Sequence, residues 1–160
     1  MDERTFVDAI ISTITKRWEG AVVQRSSDRY TLGVPDILSW MRGMSLAIEA
    51  KQLHPLMPDP MHKGRRTGQM LKHPFMGPQI SMLRRLEAVG VEAFGLVRAS
   101  LDTAFRIHPS DLPTKTGNFT YEELVKSGRL IRKREGLWRF WENDNANQVP
   151  GPRHRDGPGD

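Results

Sequence analysis

Two apolar-rich runs, separated by the dipeptide Arg42-Gly43, constrain this chain more than any other feature. The runs are PDILSW at 35–40 and MSLAIEAK at 44–51. A glycine in a two-residue connection takes the positive φ that tight hairpin turns need, so the segment predicts a β-hairpin. Both runs are apolar almost throughout, which is typical of strands that are covered on both faces. The rest of the chain must therefore supply layers on both sides of a sheet.

Amphipathic segments are predicted to form those layers. Residues 3–17 place apolar side chains at helical spacing, with Asp2 as the N-cap. A second helix is expected to begin near Pro78 and to end at Gly90, because proline suits a first helical turn and glycine suits a helix end. A short third helix is expected at 120–127, where a threonine and a glutamate form a capping-box pattern.

Shorter apolar runs predict the remaining strands, and the order of elements predicts the fold class. Strands are expected at 21–25, 91–97, 104–108 and 137–141, and 53–77 is expected to be a long loop. This order predicts an α/β fold with a mixed central sheet flanked by helices. One domain is expected over 1–141, and 142–160, which has almost no apolar residues, is expected to be a disordered tail.

The hairpin register predicts that three chemically active side chains share one patch. Asp36 and Glu49 are equally far from the turn between Arg42 and Gly43, so they should lie opposite each other. Opposed side chains share a face of the sheet, and Lys51, two residues beyond Glu49, shares that face as well. Two carboxylates and an ammonium group should therefore converge.

This convergence favours a divalent cation. An isolated Glu-x-Lys is most often an exposed ion pair, but here it lies in strands that are apolar on both faces, where two neighbouring carboxylates are costly without a cation. Carboxylate oxygens favour Mg²⁺ or Mn²⁺. Zinc is disfavoured, because the spacing of His54, His62 and His73 fits no ligand motif and the chain has no cysteine.

The motifs together resemble a known family. GVPDI, then IEAK, then PQISMLRRLEAVGVEAFGLV are similar to the PD-(D/E)xK nuclease superfamily, in particular its VRR-NUC and Holliday-junction-resolvase-like branch, over roughly residues 3–100. The resemblance implies a restriction-endonuclease-like core and a metal-dependent DNA endonuclease. Two alternatives stay open: a structure-selective Holliday-junction resolvase that acts as a homodimer, and a DNA-binding protein that keeps the fold but does not cut.

The resemblance also implies roles for individual residues. Asp36, Glu49 and the backbone carbonyl of Ala50 would bind Mg²⁺, with Mn²⁺ as a substitute. Lys51 would orient the attacking water or help to deprotonate it. Gln79 matches the family's motif glutamine, and its helical position predicts that it points toward the sheet.

The family places a further acid on its first helix, and two residues compete for that role. At 100° per residue, Glu3 falls on the apolar face of the helix and Asp8 falls away from it. The helical phase therefore favours Glu3 as the additional catalytic and metal-binding acid, although the spacing to Asp36 would also allow Asp8. Glu19 is a more distant candidate.

Charge predicts the partner. The chain has a net charge of +5, and because its last 19 residues hold two arginines and four acids, residues 1–141 hold 22 basic and 15 acidic residues. A basic body suggests a polyanion, here DNA. Lys63, Arg65, Arg66 and Lys72 follow the active strand and are predicted to grip DNA phosphates. A second basic cluster at 126–134 is left open, and the tryptophans beside it are expected to close the core.

The protein is expected to be cytoplasmic and to have no membrane-spanning segment. No run of about 18 apolar residues exists, and the N-terminus, MDERTF, does not resemble a secretory signal. The absence of cysteine is compatible with a reducing compartment.

Overall fold

A computed structural model of the chain describes residues 2–26, 33–57, 70–71, 73–112 and 119–142. Its helices are α1 (Glu3–Arg17), α2 (Gly77–Ala88) and α3 (Tyr121–Ser127), with a 3₁₀ turn at Pro109–Asp111. Its strands are β1 (Val22–Arg25), β2 (Ile37–Met41), β3 (Met44–Met57), β4 (Met70–Leu71), β5 (Glu92–Ser100), β6 (Thr103–Ile107), β7 (Arg129–Arg134) and β8 (Leu137–Trp138).

The strands form one mixed sheet in the order β1-β2-β3-β5-β6-β7-β8, with the short β4 paired to β3. The β3–β5 pair is parallel, and α2 lies in the crossover connection that a parallel pair needs. The other pairs are antiparallel. Helices flank this curled sheet, so the predicted fold class, an α/β restriction-endonuclease-like core, is confirmed.

The two faces of the sheet carry separate cores. On one face, α1 packs Phe6 and Ile10 against the even-numbered residues of β3, which include Ile48 and Ala50. On the other face, α2 packs its buried residues, including Leu83, against odd-numbered residues of β3. Because side chains alternate along a strand, Glu49 and Lys51 face the α2 side.

The helices and the hairpin agree closely with the sequence prediction. The helix α1 spans the predicted residues, and the side chain of Asp2 accepts a hydrogen bond from the backbone N–H of Thr5 as its N-cap. In the hairpin turn, Gly43 has a φ of 79°. The Thr120 side chain caps α3 by accepting from the backbone N–H of Glu123.

The sequence prediction was wrong at three places in the sheet. The strand β3 continues to Met57, where a loop was expected from residue 53, because β4 and β5 supply pairing partners that lie far away in sequence. The strand β7 was missed, since four of its six residues are basic, yet it pairs with β6 and buries Leu130 and Ile131. The strand β8 ends at Trp138 rather than at residue 141. The expected tail beyond residue 142 lies outside the described residues.

Two other expectations bear on the surroundings of this core. The tryptophan prediction is confirmed for Trp138, which is 1% exposed and packs edge-on against Phe6.

The helices of the described residues are all too short or too polar to span a bilayer.

Candidate active site

The hairpin brings Asp36 and Glu49 together as its register predicted. Ile37 pairs with Ile48, so Asp36, the residue before β2, lies opposite Glu49. The backbone N–H of Asp36 donates to Oε2 of Glu49 at 3.2 Å. The two carboxylates therefore share one face of the sheet, at the point where β2 begins.

The carboxylate of Asp36 continues the hairpin's hydrogen bonding beyond the last paired residues. Its Oδ2 accepts from the backbone N–H of Ala50 at 2.9 Å. In an extended strand the N–H and the C=O of one residue point to the same side. The carbonyl of Ala50 therefore faces the side on which Asp36 lies, as a shared ligand set requires.

Glu49 is the centre of the site. Its side chain is 2% exposed, and its Oε1 lies 2.7 Å from Nε2 of Gln79 and 3.5 Å from Nζ of Lys51. Lys51 is itself 6% exposed, and its Nζ lies 5.7 Å from the centroid of the Phe75 ring. Three of the predicted residues thus meet on the α2 side of the sheet, where Glu49 and Lys51 are buried and Gln79 is half-buried.

The amide of Gln79 has a fixed orientation. Its Oε1 accepts from the backbone N–H of Met76 at 2.8 Å, within the first turn of α2. Because the oxygen is held in this way, Nε2 is the end that faces Glu49. The predicted orientation of Gln79, toward the sheet, is confirmed, and the amide acts as a donor to the carboxylate.

The electrostatics of the pair favour protons or a cation. Burial, and then the neighbouring Asp36 carboxylate, raise the pKa of Glu49 to about 8, against the opposing effect of Lys51. Burial likewise raises the pKa of Asp36 above its ordinary value, although the Ala50 N–H and Lys51 act in the other direction. A divalent cation would offset the same repulsion and desolvation.

The donor set fits a hard cation of the Mg²⁺ type. Mg²⁺ commonly keeps several waters and takes one or two carboxylates from the protein, which matches Asp36, Glu49 and the carbonyl of Ala50. Within the described ranges, no three or more His, Cys, Asp or Glu residues are grouped so as to hold a metal ion. The structure therefore brings two carboxylates together and does not add a third to the group.

The two candidate acids of α1 differ as their helical phase predicted. Glu3 is half-buried, whereas Asp8 is exposed and forms an ion pair with Arg25 of β1. The helix itself packs on the face of the sheet opposite to Glu49 and Lys51. The role of Glu3 as an additional ligand stays a prediction.

The raised pKa of Glu49 leads to a prediction about pH. Between the ordinary value of 4.5 and about 8, the folded state keeps a proton that the unfolded state releases, so metal-free protein should lose stability as pH rises through this window. Urea unfolding in EDTA at pH 5 and at pH 8 measures this loss, which should be on the order of a few kcal/mol. Glu49→Gln should flatten the dependence, and an equally steep dependence in that variant would contradict the assignment.

Sequence reasoning missed two neighbours of the site. Arg25 pairs with Ile37 across β1 and β2, and its charge opposes the raised pKa of Asp36. Phe75 is 2% exposed beside Lys51. The only local signal for Arg25 was its place in a predicted strand, and nothing in the sequence singled out Phe75.

The other basic residues that the sequence singled out fall into two groups, the loop predicted to bind DNA and the cluster whose role was left open. The basic loop residues Lys63, Arg65, Arg66 and Lys72 lie outside the described residues. The second basic cluster is now placed, since most of it belongs to β7, where Lys133 and Arg134 are exposed at the end of the strand.

Comparison with known proteins places the fold. The chain matches no family model and no curated protein sequence. Its mixed sheet with flanking helices is that of restriction-endonuclease-like proteins. Among solved structures it resembles Hjc, a Holliday junction resolvase from the archaeal hyperthermophile Archaeoglobus fulgidus, with a TM-score of 0.50 and 15% identity. The likeness covers 78% of this chain and 92% of that chain, and at this identity it shows the fold alone.

Proposed function

We propose that this chain is a metal-dependent nuclease that hydrolyses DNA phosphodiester bonds at the patch of Asp36, Glu49 and Lys51. The observation that carries the proposal is the pair of adjacent carboxylates, the buried Glu49 and the half-buried Asp36, which lie beside the buried Lys51 and are shifted toward their protonated forms. Such a costly arrangement gives no evident advantage to the fold, but it suits a metal site. The likeness to a Holliday junction resolvase supports the same class of activity.

In this proposal, Asp36, Glu49 and the carbonyl of Ala50 hold Mg²⁺, and Mn²⁺ substitutes for it. When bound, such an ion lowers the pKa of a water and stabilises negative charge on the phosphate. Lys51 places its ammonium group beside Glu49, where it orients the attacking water or takes part in its deprotonation. Gln79 holds the Glu49 carboxylate in place through the hydrogen bond from its amide.

Glu3 is proposed as the additional acid, and a pair of variants tests it against Asp8. The structure does not group Glu3 with Asp36 and Glu49, so this role is the proposal's own and assigns Glu3 a charged oxygen near the metal. On this assignment, Glu3→Gln should lower the cleavage rate by about tenfold or more. Asp8→Asn should change the rate only a few-fold, because Asp8 is exposed and pairs with Arg25. Single-turnover cleavage rates measure both effects, and greater damage from Asp8→Asn would reverse the assignment.

DNA is the proposed partner, and the basic loop is proposed to bind its phosphates. Changing Lys63, Arg65, Arg66 and Lys72 together to glutamine should weaken binding to all DNA sequences alike. The binding constant of such a complex falls with salt concentration, and on logarithmic axes the fall is linear. The variant should make this slope shallower by about 0.9 for each duplex phosphate that loses its cationic partner. Titration of labelled duplex at several salt concentrations measures the slope, and an unchanged slope would remove the loop from the interface.

A narrower function is also proposed as an alternative. The structural neighbour is named as a Holliday junction resolvase, which favours a structure-selective enzyme that acts on four-way junctions as a homodimer. A protein that binds DNA without cutting is the third possibility. The carboxylate pair of Asp36 and Glu49 argues against it, because clustered carboxylates repel DNA phosphates.

One experiment distinguishes these functions. The protein is incubated with linear duplex, supercoiled, single-stranded and four-way-junction DNA, in Mg²⁺, in Mn²⁺ and in EDTA. We expect metal-dependent cutting of one or more forms. Cutting of the junction alone selects the resolvase, and cutting of several forms selects a general endonuclease. Binding without cutting in either metal would overturn the proposed enzyme.

A further inference from the structure

Gly33 makes an unusually close approach to the first turn of α2. Its φ is +90°, and a Cβ built on it would lie 2.7 Å from the carbonyl oxygen of Pro78. Both facts restrict this position to glycine, since other residues rarely adopt this φ and backbone atoms have little room to move. The contact ties the segment that leads into Asp36 to the helix that carries Gln79.

Gly95 makes a second close approach to the same segment. It is the β5 partner of Glu49, and a Cβ at this position would lie 2.9 Å from Cζ of Phe75. Phe75 precedes Met76, the N-cap residue whose backbone N–H holds Oε1 of Gln79. The absence of a side chain at Gly95 therefore lets the start of α2 settle onto the sheet directly beside Glu49.

These two contacts enclose residues 75–79 from two different parts of the chain. Within this segment, the Met76 N–H fixes the amide of Gln79, and the amide donates to Glu49 at 2.7 Å. A hydrogen bond of this length tolerates little displacement, because its strength falls steeply as the geometry worsens. The position of the α2 first turn thus determines whether Gln79 reaches the carboxylate.

We propose that Gly33 and Gly95, together called the glycine seat, are positioning residues for the active site that act through Gln79 on Glu49. The glycine seat sets the height of the first α2 turn above β3 and β5. A side chain at either position lifts the turn and withdraws the amide from Glu49. This role rests on the proposed nuclease function of Glu49, but the hydrogen bond that it controls exists independently of any activity.

The decisive experiment is a double-mutant cycle with Gly33→Ala and Gln79→Ala. In the wild-type background, Gly33→Ala should lower kcat by about tenfold and leave KM for DNA within about twofold. In the Gln79→Ala background, the same substitution should lower kcat by less than about twofold, because the group through which it acts is gone. Equal reductions in the two backgrounds would overturn the proposal.

Gly90→Ala is the matched control. Gly90 ends the same helix with a φ of +97°, and a Cβ there would meet nothing within 4 Å. It carries a similar backbone strain without a collision, so it should cost stability while leaving kcat almost unchanged. An equal loss of kcat in Gly90→Ala would show that strain, rather than the glycine seat, causes the effect.

A second readout separates this proposal from the proposed function. In ¹H–¹⁵N spectra, the side-chain amide protons of Gln79 should exchange slowly in wild type and in Gly90→Ala, and rapidly in Gly33→Ala. If the wild type cuts no DNA, the nuclease proposal fails, but the exchange rate of the Gln79 amide still tests the positioning role of the glycine seat. Slow exchange in Gly33→Ala, as in wild type, would overturn that positioning role.

Gly95→Ala is a second test variant, to be used in case Gly33→Ala does not fold. Its Cβ would meet only side-chain atoms, the end of the Phe75 ring and a methyl group of Leu112, rather than a backbone carbonyl, so this variant should fold even if Gly33→Ala does not. It should show the same kind of loss, a lower kcat and faster amide exchange. If neither variant folds by circular dichroism, the two glycines are required for the fold itself and the positioning role is overturned.

Discussion

Lys51→Ala is expected to lower the rate of DNA cleavage by about 10³-fold while the affinity for DNA changes little. Lys51 is 6% exposed and lies 3.5 Å from Glu49, so it is placed to act on the reacting water rather than to bind distant phosphates. Positioned acid–base groups contribute about 10²- to 10⁴-fold to rates. Single-turnover cleavage in Mg²⁺ measures the rate, and a filter-binding titration in EDTA measures the affinity.

Lys16→Ala provides the matched control for this loss of charge. Lys16 is exposed in the last turn of α1 and has no place in the proposed site. Its removal lowers the net charge by the same amount, so any general weakening of DNA binding appears in both variants. If Lys51→Ala cleaves as fast as Lys16→Ala, Lys51 does not have the assigned role.

Glu49→Gln is expected to remove both cleavage and the response to Mg²⁺. Glutamine keeps the shape of the side chain but supplies no negative charge to a cation. The wild type should gain about 2.7 kcal/mol of stability at a Mg²⁺ concentration one hundred times the Kd, and the variant should gain almost none. Thermal unfolding with and without Mg²⁺ measures this difference, and the cleavage rate should fall by about 10³-fold or more.

Glu122→Gln is the control for this second variant, since Glu122 is exposed in the first turn of α3. It should respond to Mg²⁺ as the wild type does. Full stabilisation of Glu49→Gln by Mg²⁺ would mean that the ion binds elsewhere on the protein. Stabilisation of neither the wild type nor the control would mean that the metal-free site needs DNA before it binds the ion.

The part of the site that could be predicted from sequence depends on local chemistry. Gly43 fixes a two-residue turn, and that turn fixes the register that places Asp36 opposite Glu49. The alternation of side chains then adds Lys51 to the same face. Helical phase was equally informative for Gln79, since the residues of one short helix determine which side faces the sheet.

The part that could not be predicted depends on contacts between distant residues. Phe75 lies beside Lys51 only because Gly95, twenty positions further on, leaves room for its ring. Arg25 influences Asp36 only through the pairing of β1 with β2. The strand β7 was missed for a related reason: its basic composition disfavours a strand locally, and pairing with β6 outweighs that preference.

The central claim is that Asp36 and Glu49 form a divalent-cation site at which DNA is cut. The most direct test follows the cleavage of linear duplex, supercoiled, single-stranded and four-way-junction DNA as Mg²⁺ is titrated into EDTA-treated wild type, Asp36→Asn and Glu49→Gln. We expect cleavage by the wild type to rise from baseline and saturate with Mg²⁺, while both variants stay near baseline. Equal cleavage by wild type and variants, cleavage that persists in EDTA, or no cleavage of any bound DNA would contradict it.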